Sequence, residues 1–177
     1  MSEPYFENLP VNIEDLPEVQ GGDFTPINKR YSRVLYLTNT LYFLMALFAV
    51  GIFILVQLGP FNWIAYAILL AWILLFLFSL WFASVSTARK SYMVRWHDIS
   101  YREGVFFQSW ITIPFTRVQH CEISKGVVDN IFGLVELRIF TAGGSSSDIV
   151  IPGLHPDIAF RLKEQIIGKI EDHDEEE

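Results

Sequence analysis

The sequence predicts a membrane-embedded α-helical hairpin, followed by a small antiparallel β-barrel-like sheet that one C-terminal helix closes. The chain of 177 residues is 51% hydrophobic and only 19% charged, whereas soluble domains usually carry more charge. No charged residue or histidine occurs between Val34 and Ala88, and short stretches of alternating apolar and polar residues follow. A net charge of −7 argues against a nucleic-acid-binding protein.

The uncharged stretch is long enough for two membrane crossings, because about 20 helical residues span a hydrocarbon core of about 30 Å. Gly59-Pro60 is a turn signal and divides the stretch into spans at about 35–58 and 61–83. The alternative is a pair of helices buried in a soluble core. Such helices normally keep a polar stripe, and these segments have none, so we expect membrane insertion.

The predicted hairpin comprises residues 29–90. Basic residues flank both of its spans. Three precede the first span and three follow the second: Lys29, Arg30 and Arg33, then Arg89, Lys90 and Arg95. The turn between the spans carries no base. Because cytoplasmic flanks are enriched in Lys and Arg, the sequence predicts that both termini are cytoplasmic.

The residues after the hairpin, 91–170, predict one small soluble domain. Alternation with a period near two predicts strands at 91–96, 99–103, 109–113, 118–125, 135–141 and 149–151. A helix is expected from Pro156, with an apolar stripe of Ile158, Leu162, Ile166 and Ile170 that packs on the sheet. The acidic segments 1–28 and 171–177 are expected to be disordered.

Four short motifs of this domain, in order, resemble those of bacterial PH-domain membrane proteins of the YdbS-like type. They are DISYREGV at 98–105, IPFTRVQ at 113–119, IFGL at 131–134 and TAGG at 141–144. The resemblance covers about residues 30–170 and implies a pleckstrin-homology-like (PH-like) fold, with about seven antiparallel strands in two nearly orthogonal sheets and a capping C-terminal helix. The fold-motif residues are Pro114, Arg117, Gly133 and Gly143.

Two of these motif residue types have structural interpretations. Proline lacks a backbone donor, so Pro114 suits the end of a strand at a sheet edge. Glycine accepts backbone angles or close approaches that a Cβ would block, so we expect this role for Gly133 and Gly143.

The sequence contains no recognisable catalytic or metal-binding pattern. The four histidines are scattered, and no His-Glu-x-x-His or second cysteine accompanies them. Cys121 alternates with Ile123 on a predicted strand and is expected in the core. The run Gly143–Asp148 lacks the lysine of a phosphate-binding loop. We therefore predict a protein that is not an enzyme and has no metal or cofactor.

The residues and the resemblance together predict a scaffold or adaptor at the cytoplasmic face of a bacterial inner membrane. The expected partners are another copy of the chain, a larger PH-domain membrane protein of the same family, and membrane lipids. One alternative is recognition of anionic lipid headgroups, and the candidate residues for it are Arg89, Lys90, Arg95, His97 and Arg102. Another is a small regulatory subunit of a transporter or protease.

Overall fold

The computed structural model describes residues 23–58, 62–142 and 149–174, with side chains through Lys169. The predicted turn at Gly59-Pro60, the motif residue Gly143 and residues 1–22 of the acidic arm lie outside the described residues.

Two long apolar helices precede the domain. Helix α1 spans Tyr31–Phe53 and continues as a π-helical segment, Ile54–Leu58. Helix α2 spans Trp63–Arg89 and therefore continues past the predicted end of the second span at Ala83. Both are long and apolar enough to cross a membrane, and only 6% of each apolar window is buried. A core helix of a soluble protein would be mostly buried, so this exposure favours lipid as the surrounding medium.

The two helices pack against each other through aromatic rings. The Phe43 ring on α1 lies 4.9 Å from the Trp72 ring and 5.2 Å from the Phe76 ring on α2. Ala65 of α2 is buried. Asn62 begins α2, because its side-chain oxygen accepts a hydrogen bond from the Ile64 N–H at 3.0 Å.

The domain is a sandwich of two antiparallel sheets, so the predicted PH-like fold class is confirmed. One sheet has the order β1-β2-β3-β4 and the other β5-β6-β7. The strands are β1 Thr25–Pro26, β2 Ser91–Val94, β3 Asp98–Glu103, β4 Ser109–Pro114, β5 Val118–Ser124, β6 Val135–Thr141 and β7 Ile149–Leu154. Residues from both sheets form one core, including Ile99, Leu137 and Ile151.

Helix α4, Pro156–Asp174, closes the sandwich as predicted and continues into the predicted acidic tail. Its buried stripe is Ala159, Leu162 and Ile166, whereas Ile158 is exposed. Leu162 and Ile166 of the predicted stripe therefore pack on the core as expected, Ala159 packs there in place of Ile158, and the side chain of Ile170 lies outside the described residues.

Two further elements extend the sequence prediction. Strand β1 lies within the arm expected to be disordered, and it pairs with β2 while Ile27 is buried in the core. A short helix α3, Val127–Ile131, lies in the connection between the predicted strands 118–125 and 135–141. Five residues are too few to display a helical period in a sequence.

Candidate membrane-facing site

The site lies where the end of α2 meets the first sheet of the domain. Lys90 joins α2 to β2, and the antiparallel register pairs Ser91 of β2 with Arg102 of β3. The β3–β4 hairpin tip, residues 104–108, is at this same end of the sheet, because β3 ends at Glu103. The chain path alone therefore brings basic residues and a hairpin tip next to the helix end.

Lys90 is held inside a cluster with Glu103 and Tyr101. Its ammonium forms an ion pair with the Glu103 carboxylate and donates to the Tyr101 hydroxyl at 3.3 Å. The Tyr101 hydroxyl in turn donates to Glu103 at 3.2 Å. Burial, followed by the neighbouring Glu103 charge, raises the pKa of Tyr101 above its usual value. The Lys90 charge is thus compensated within the domain.

Arg102 is also engaged by groups of this chain. Its Nε donates to the Ser91 hydroxyl at 3.2 Å, and its guanidinium lies 4.7 Å from the centroid of the Phe24 ring. The contact with Phe24 is of the cation–π type. It ties the segment before β1 to the sheet.

Arg95 and His97 lie at the other end of the sheet. Both are in the β2–β3 connection, beyond the pair Val94–Ile99. Arg95 binds the Asp98 carboxylate through two hydrogen bonds of 2.7 and 2.8 Å, and the His97 side chain is exposed. The structure therefore separates these two from the other three candidate lipid-binding residues.

Arg89 is exposed at the end of α2. With Arg102, Glu103, Gly104 and Gln108 it lines a small cavity of about 160 Å³ beside the hairpin tip. The three bases at the start of the first helix, Lys29, Arg30 and Arg33, are exposed as well.

The hairpin tip carries large exposed apolar side chains that are not among the candidate residues predicted from the sequence. Phe106 is 71% exposed and Phe107 is 93% exposed. The Phe106 ring stacks on the Phe82 ring of α2, with 5.9 Å between centroids and 16° between planes. A signal was present in the sequence, since two adjacent phenylalanines after Gly104 are unusual in a turn, where polar residues are expected.

Strand β4 forms an edge of the first sheet. Within the described residues no strand pairs with its outer side. A groove of about 350 Å³ follows this edge and is lined by Ile111, Thr112, Ile113, Pro114, Arg117 and Thr141. Pro114 ends the strand, and Arg117 is exposed in the single 3₁₀ turn that follows.

Gly133, the remaining motif residue, lies in the turn between α3 and β6. Its φ is +66°, and a Cβ built there would meet nothing within 4 Å. The backbone angle, and not a close approach, is therefore the reason for glycine at this position.

The described residues assemble no metal-binding cluster, and the single cysteine lies in the core. No three His, Cys, Asp or Glu side chains there could hold a metal ion. Cys121 is buried in the core as expected, and burial raises the pKa of its thiol to about 11. A thiol that stays protonated at neutral pH is a poor nucleophile.

Comparisons with known proteins agree with this architecture. The family described as Bacterial PH domain matches residues 36–170. The chain is 32% identical over 85 residues to the UPF0699 transmembrane protein YdbS of Bacillus subtilis (strain 168), covering 47% of this chain and 52% of the relative. It is also 32% identical over 87 residues to UPF0699 transmembrane protein YdbT of the same organism, covering 44% of this chain and 18% of that relative.

The chain thus spans about half the length of one curated relative and less than a fifth of the other. No solved structure matches it at a significant level. The family match extends over most of the chain and includes most of α1, all of α2 and strands β2–β7, and both relatives are named transmembrane proteins. The protein therefore belongs to the Bacterial PH domain family and is a membrane-associated member of it.

Proposed function

We propose that this protein is a non-enzymatic, membrane-anchored scaffold at the cytoplasmic face of the bacterial inner membrane, with both termini in the cytoplasm. Its PH-like domain would bind a protein partner: another copy of the chain or a larger PH-domain membrane protein of the same family. The observation that carries the proposal is the outer edge of β4, with which no strand of the described residues pairs, together with its groove.

An open strand edge presents unpaired backbone N–H and C=O groups, and an extended segment of a partner can satisfy them by adding a strand. The groove beside β4 adds apolar side chains at which such a segment gains specificity. Natural proteins usually protect exposed edges with charged side chains or bulges. The middle of β4 carries Ile111 and Thr112 and no charge.

The state of the basic residues favours protein contact over headgroup recognition as the main role. Lys90, Arg95 and Arg102 have partners within the domain, and an anionic headgroup would have to displace them. Specific lipid-binding clusters usually hold four to eight contiguous bases. Of the candidate lipid-binding residues at this membrane-proximal end, Arg89 and Arg102 have no acidic partner among the described residues, and Lys90 is held in the intramolecular pair with Glu103, so the unpaired bases are fewer than in such a cluster.

The test compares two matched substitutions of exposed threonines. Thr112→Glu places a charge on the β4 edge, and Thr116→Glu places the same charge in the following 3₁₀ turn. Wild-type chain carrying two different tags would be co-expressed, extracted in mild detergent and purified through one tag. We expect the second tag, or a larger relative identified by mass spectrometry, to be recovered with wild type and Thr116→Glu but not with Thr112→Glu.

Thermal melting of both variants is the control for folding, because Thr112 shares a 2.8 Å hydrogen bond with Ser100. Equal recovery with Thr112→Glu and Thr116→Glu, at equal folded fractions, would contradict a role for the β4 edge. Recovery of neither partner with wild type would contradict the scaffold itself.

Anionic lipid recognition remains a second candidate because Arg89 and Arg102 line one cavity. Native mass spectrometry of the full chain with phosphatidylglycerol tests it. The lipid hypothesis expects retained lipid to fall with Arg89→Gln and to be unchanged with Arg161→Gln, a matched exposed arginine on α4. Equal retention in the two variants would remove this candidate.

A further inference from the structure

We propose that the β3–β4 hairpin tip, through Phe106 and Phe107, is inserted into the lipid leaflet that receives the end of α2. The tip acts as a second membrane contact, which fixes the orientation of the PH-like domain on the bilayer. This inference requires α2 to lie in the membrane, but it does not depend on the proposed protein contact at β4.

The first argument is the depth of the tip. Phe106 stacks on Phe82, which belongs to the apolar part of α2. At about 1.5 Å of rise per residue, Phe82 lies about 10 Å along the helix from Arg89. Because a charged Arg89 stays at headgroup level, the tip reaches below the headgroups. This depth matches that of interfacial apolar groups, about 5–10 Å into the boundary between headgroups and acyl chains.

The second argument is the chemistry of the tip and its surroundings. Phe107 is 93% exposed and Phe106 is 71% exposed, and both lie in the short loop of residues 104–108. On α2 the neighbouring rings of Phe78 and Phe82 lie 6.3 Å apart, and Phe78 also contacts Trp81 at 5.6 Å. The tip therefore continues an aromatic surface on a helix whose exposed sides are apolar, as in the aromatic belts of membrane interfaces.

The third argument is that the hairpin holds its shape. Gly104 has a φ of +111°, and a Cβ there would lie 1.8 Å from the carbonyl oxygen of Phe107. This close backbone approach keeps the turn tight and presents the Phe107 side chain outward. At headgroup height the cavity beside the tip is polar, with Arg89 and Gln108 in its lining. Apolar side chains at the tip, with basic and polar side chains above them at headgroup height, match the chemistry of a lipid surface.

The occupant is lipid because the tip is continuous with the surface of α2. Only 6% of the apolar window of that helix is buried within the chain, so the medium around the helix also surrounds the tip. A soluble ligand could not reach a residue beside Phe82 without entering the bilayer. A second protein chain covering the tip is the competing occupant, and the experiment separates the two.

The experiment uses the full chain in phosphatidylcholine–phosphatidylglycerol vesicles, with Cys121→Ser removing the single native cysteine. Single cysteines are introduced by Phe107→Cys, by Trp96→Cys as the matched exposed aromatic at the opposite end of β3, and by Leu74→Cys in the exposed middle of α2. Each is labelled with bimane. Quenching is measured with lipids that carry a nitroxide near the headgroup, with lipids that carry it deep in the acyl chain, and separately with aqueous iodide.

We expect nitroxide quenching to be several-fold stronger with Phe107→Cys than with Trp96→Cys, and iodide quenching to show the reverse order. Strong iodide quenching of the label at position 107 would overturn the inference. Protection from both quenchers would indicate a covering protein chain and would overturn it equally. Quenching at position 74 by lipids with a deep nitroxide confirms that α2 is embedded. A hairpin tip that stays outside the bilayer can then be distinguished from a chain that has not inserted into the membrane. Melting curves of the labelled chains verify folding.

Discussion

Three glycines in different environments allow the cost of the hairpin geometry to be measured. Gly104 combines a φ of +111° with a Cβ position only 1.8 Å from a backbone oxygen. Gly133 has a φ of +66° and open space around the Cβ position, and Gly168 lies within α4 with open space and no positive φ. Replacing each with alanine therefore separates the free-energy cost of an unfavourable backbone angle from the cost of a steric clash.

The expected magnitudes follow from these geometries. A left-handed backbone angle costs an L-residue about 1–2 kcal/mol, so Gly133→Ala should destabilise the domain by about that amount. Gly104→Ala adds overpacking of about 1–3 kcal/mol, because backbone atoms must move apart. Gly168→Ala should stabilise α4 by about 0.5–1 kcal/mol, because alanine is the better helix former.

The assay is thermal unfolding of the full chain in detergent, followed by near-ultraviolet circular dichroism. For a domain of this size about 1 kcal/mol shifts the Tm by about 4–8 °C. We expect the loss of Tm with Gly104→Ala to be about twice that with Gly133→Ala, and a rise with Gly168→Ala. Equal losses with Gly104→Ala and Gly133→Ala would refute the close approach at the hairpin. A bulkier change, Gly133→Val, should destabilise through the backbone angle, since no neighbour lies close enough to clash.

Three further outcomes are expected from the core, the ion pair and the thiol. Ile166→Ala should destabilise the domain by about 2–4 kcal/mol in the same melts, because that side chain is buried in the core. Ile158→Ala should destabilise it by well under about 1 kcal/mol, because that side chain is exposed. Similar losses with the two variants would show that the buried stripe of α4 is misassigned. Glu103→Gln leaves the half-buried Lys90 without its ion pair and should lower the free energy of unfolding by about 1–2 kcal/mol. The double variant with Lys90→Met should recover part of that loss. If the losses from the two single variants simply add in the double variant, the two residues are not coupled. The Cys121 thiol has a pKa raised to about 11 in the fold, against about 9.0 in an unfolded chain. Because the unfolded state binds fewer protons between these values, the free energy of unfolding should fall as the pH rises above about 9. Maleimide labelling at pH 8 should be slow until the chain unfolds, and fast labelling of the folded chain would contradict burial.

The sequence predicted the regular elements well where one physical pattern dominates. The alternation in Val135–Thr141 gave the observed bounds of β6, because Leu137 and Ile139 face the core and their neighbours do not. The absence of charge located both apolar helices. The end of α2 was placed too early because uncharged residues of mixed polarity after Ala83 look like a boundary, although Thr87 bonds back to the Ala83 carbonyl within the helix.

The candidate site was predictable in composition but not in arrangement. The basic residues could be read from the sequence, but their partners depend on strand register and turn geometry. Lys90 reaches Glu103 only because β3 returns beside the helix end, and Arg95 binds Asp98 across the β2–β3 turn. The membrane depth of the hairpin tip depends on the contact between Phe82 and Phe106, which are far apart in sequence.

The most direct test of the account is the side of the membrane on which the domain lies. Val127→Cys in a Cys121→Ser chain provides one exposed thiol on α3. Intact bacterial cells would be treated with a membrane-impermeant maleimide, with and without prior permeabilisation of the inner membrane. The account predicts labelling only after permeabilisation, and labelling of intact cells to the same extent would contradict a cytoplasmic PH-like domain carried by a membrane hairpin.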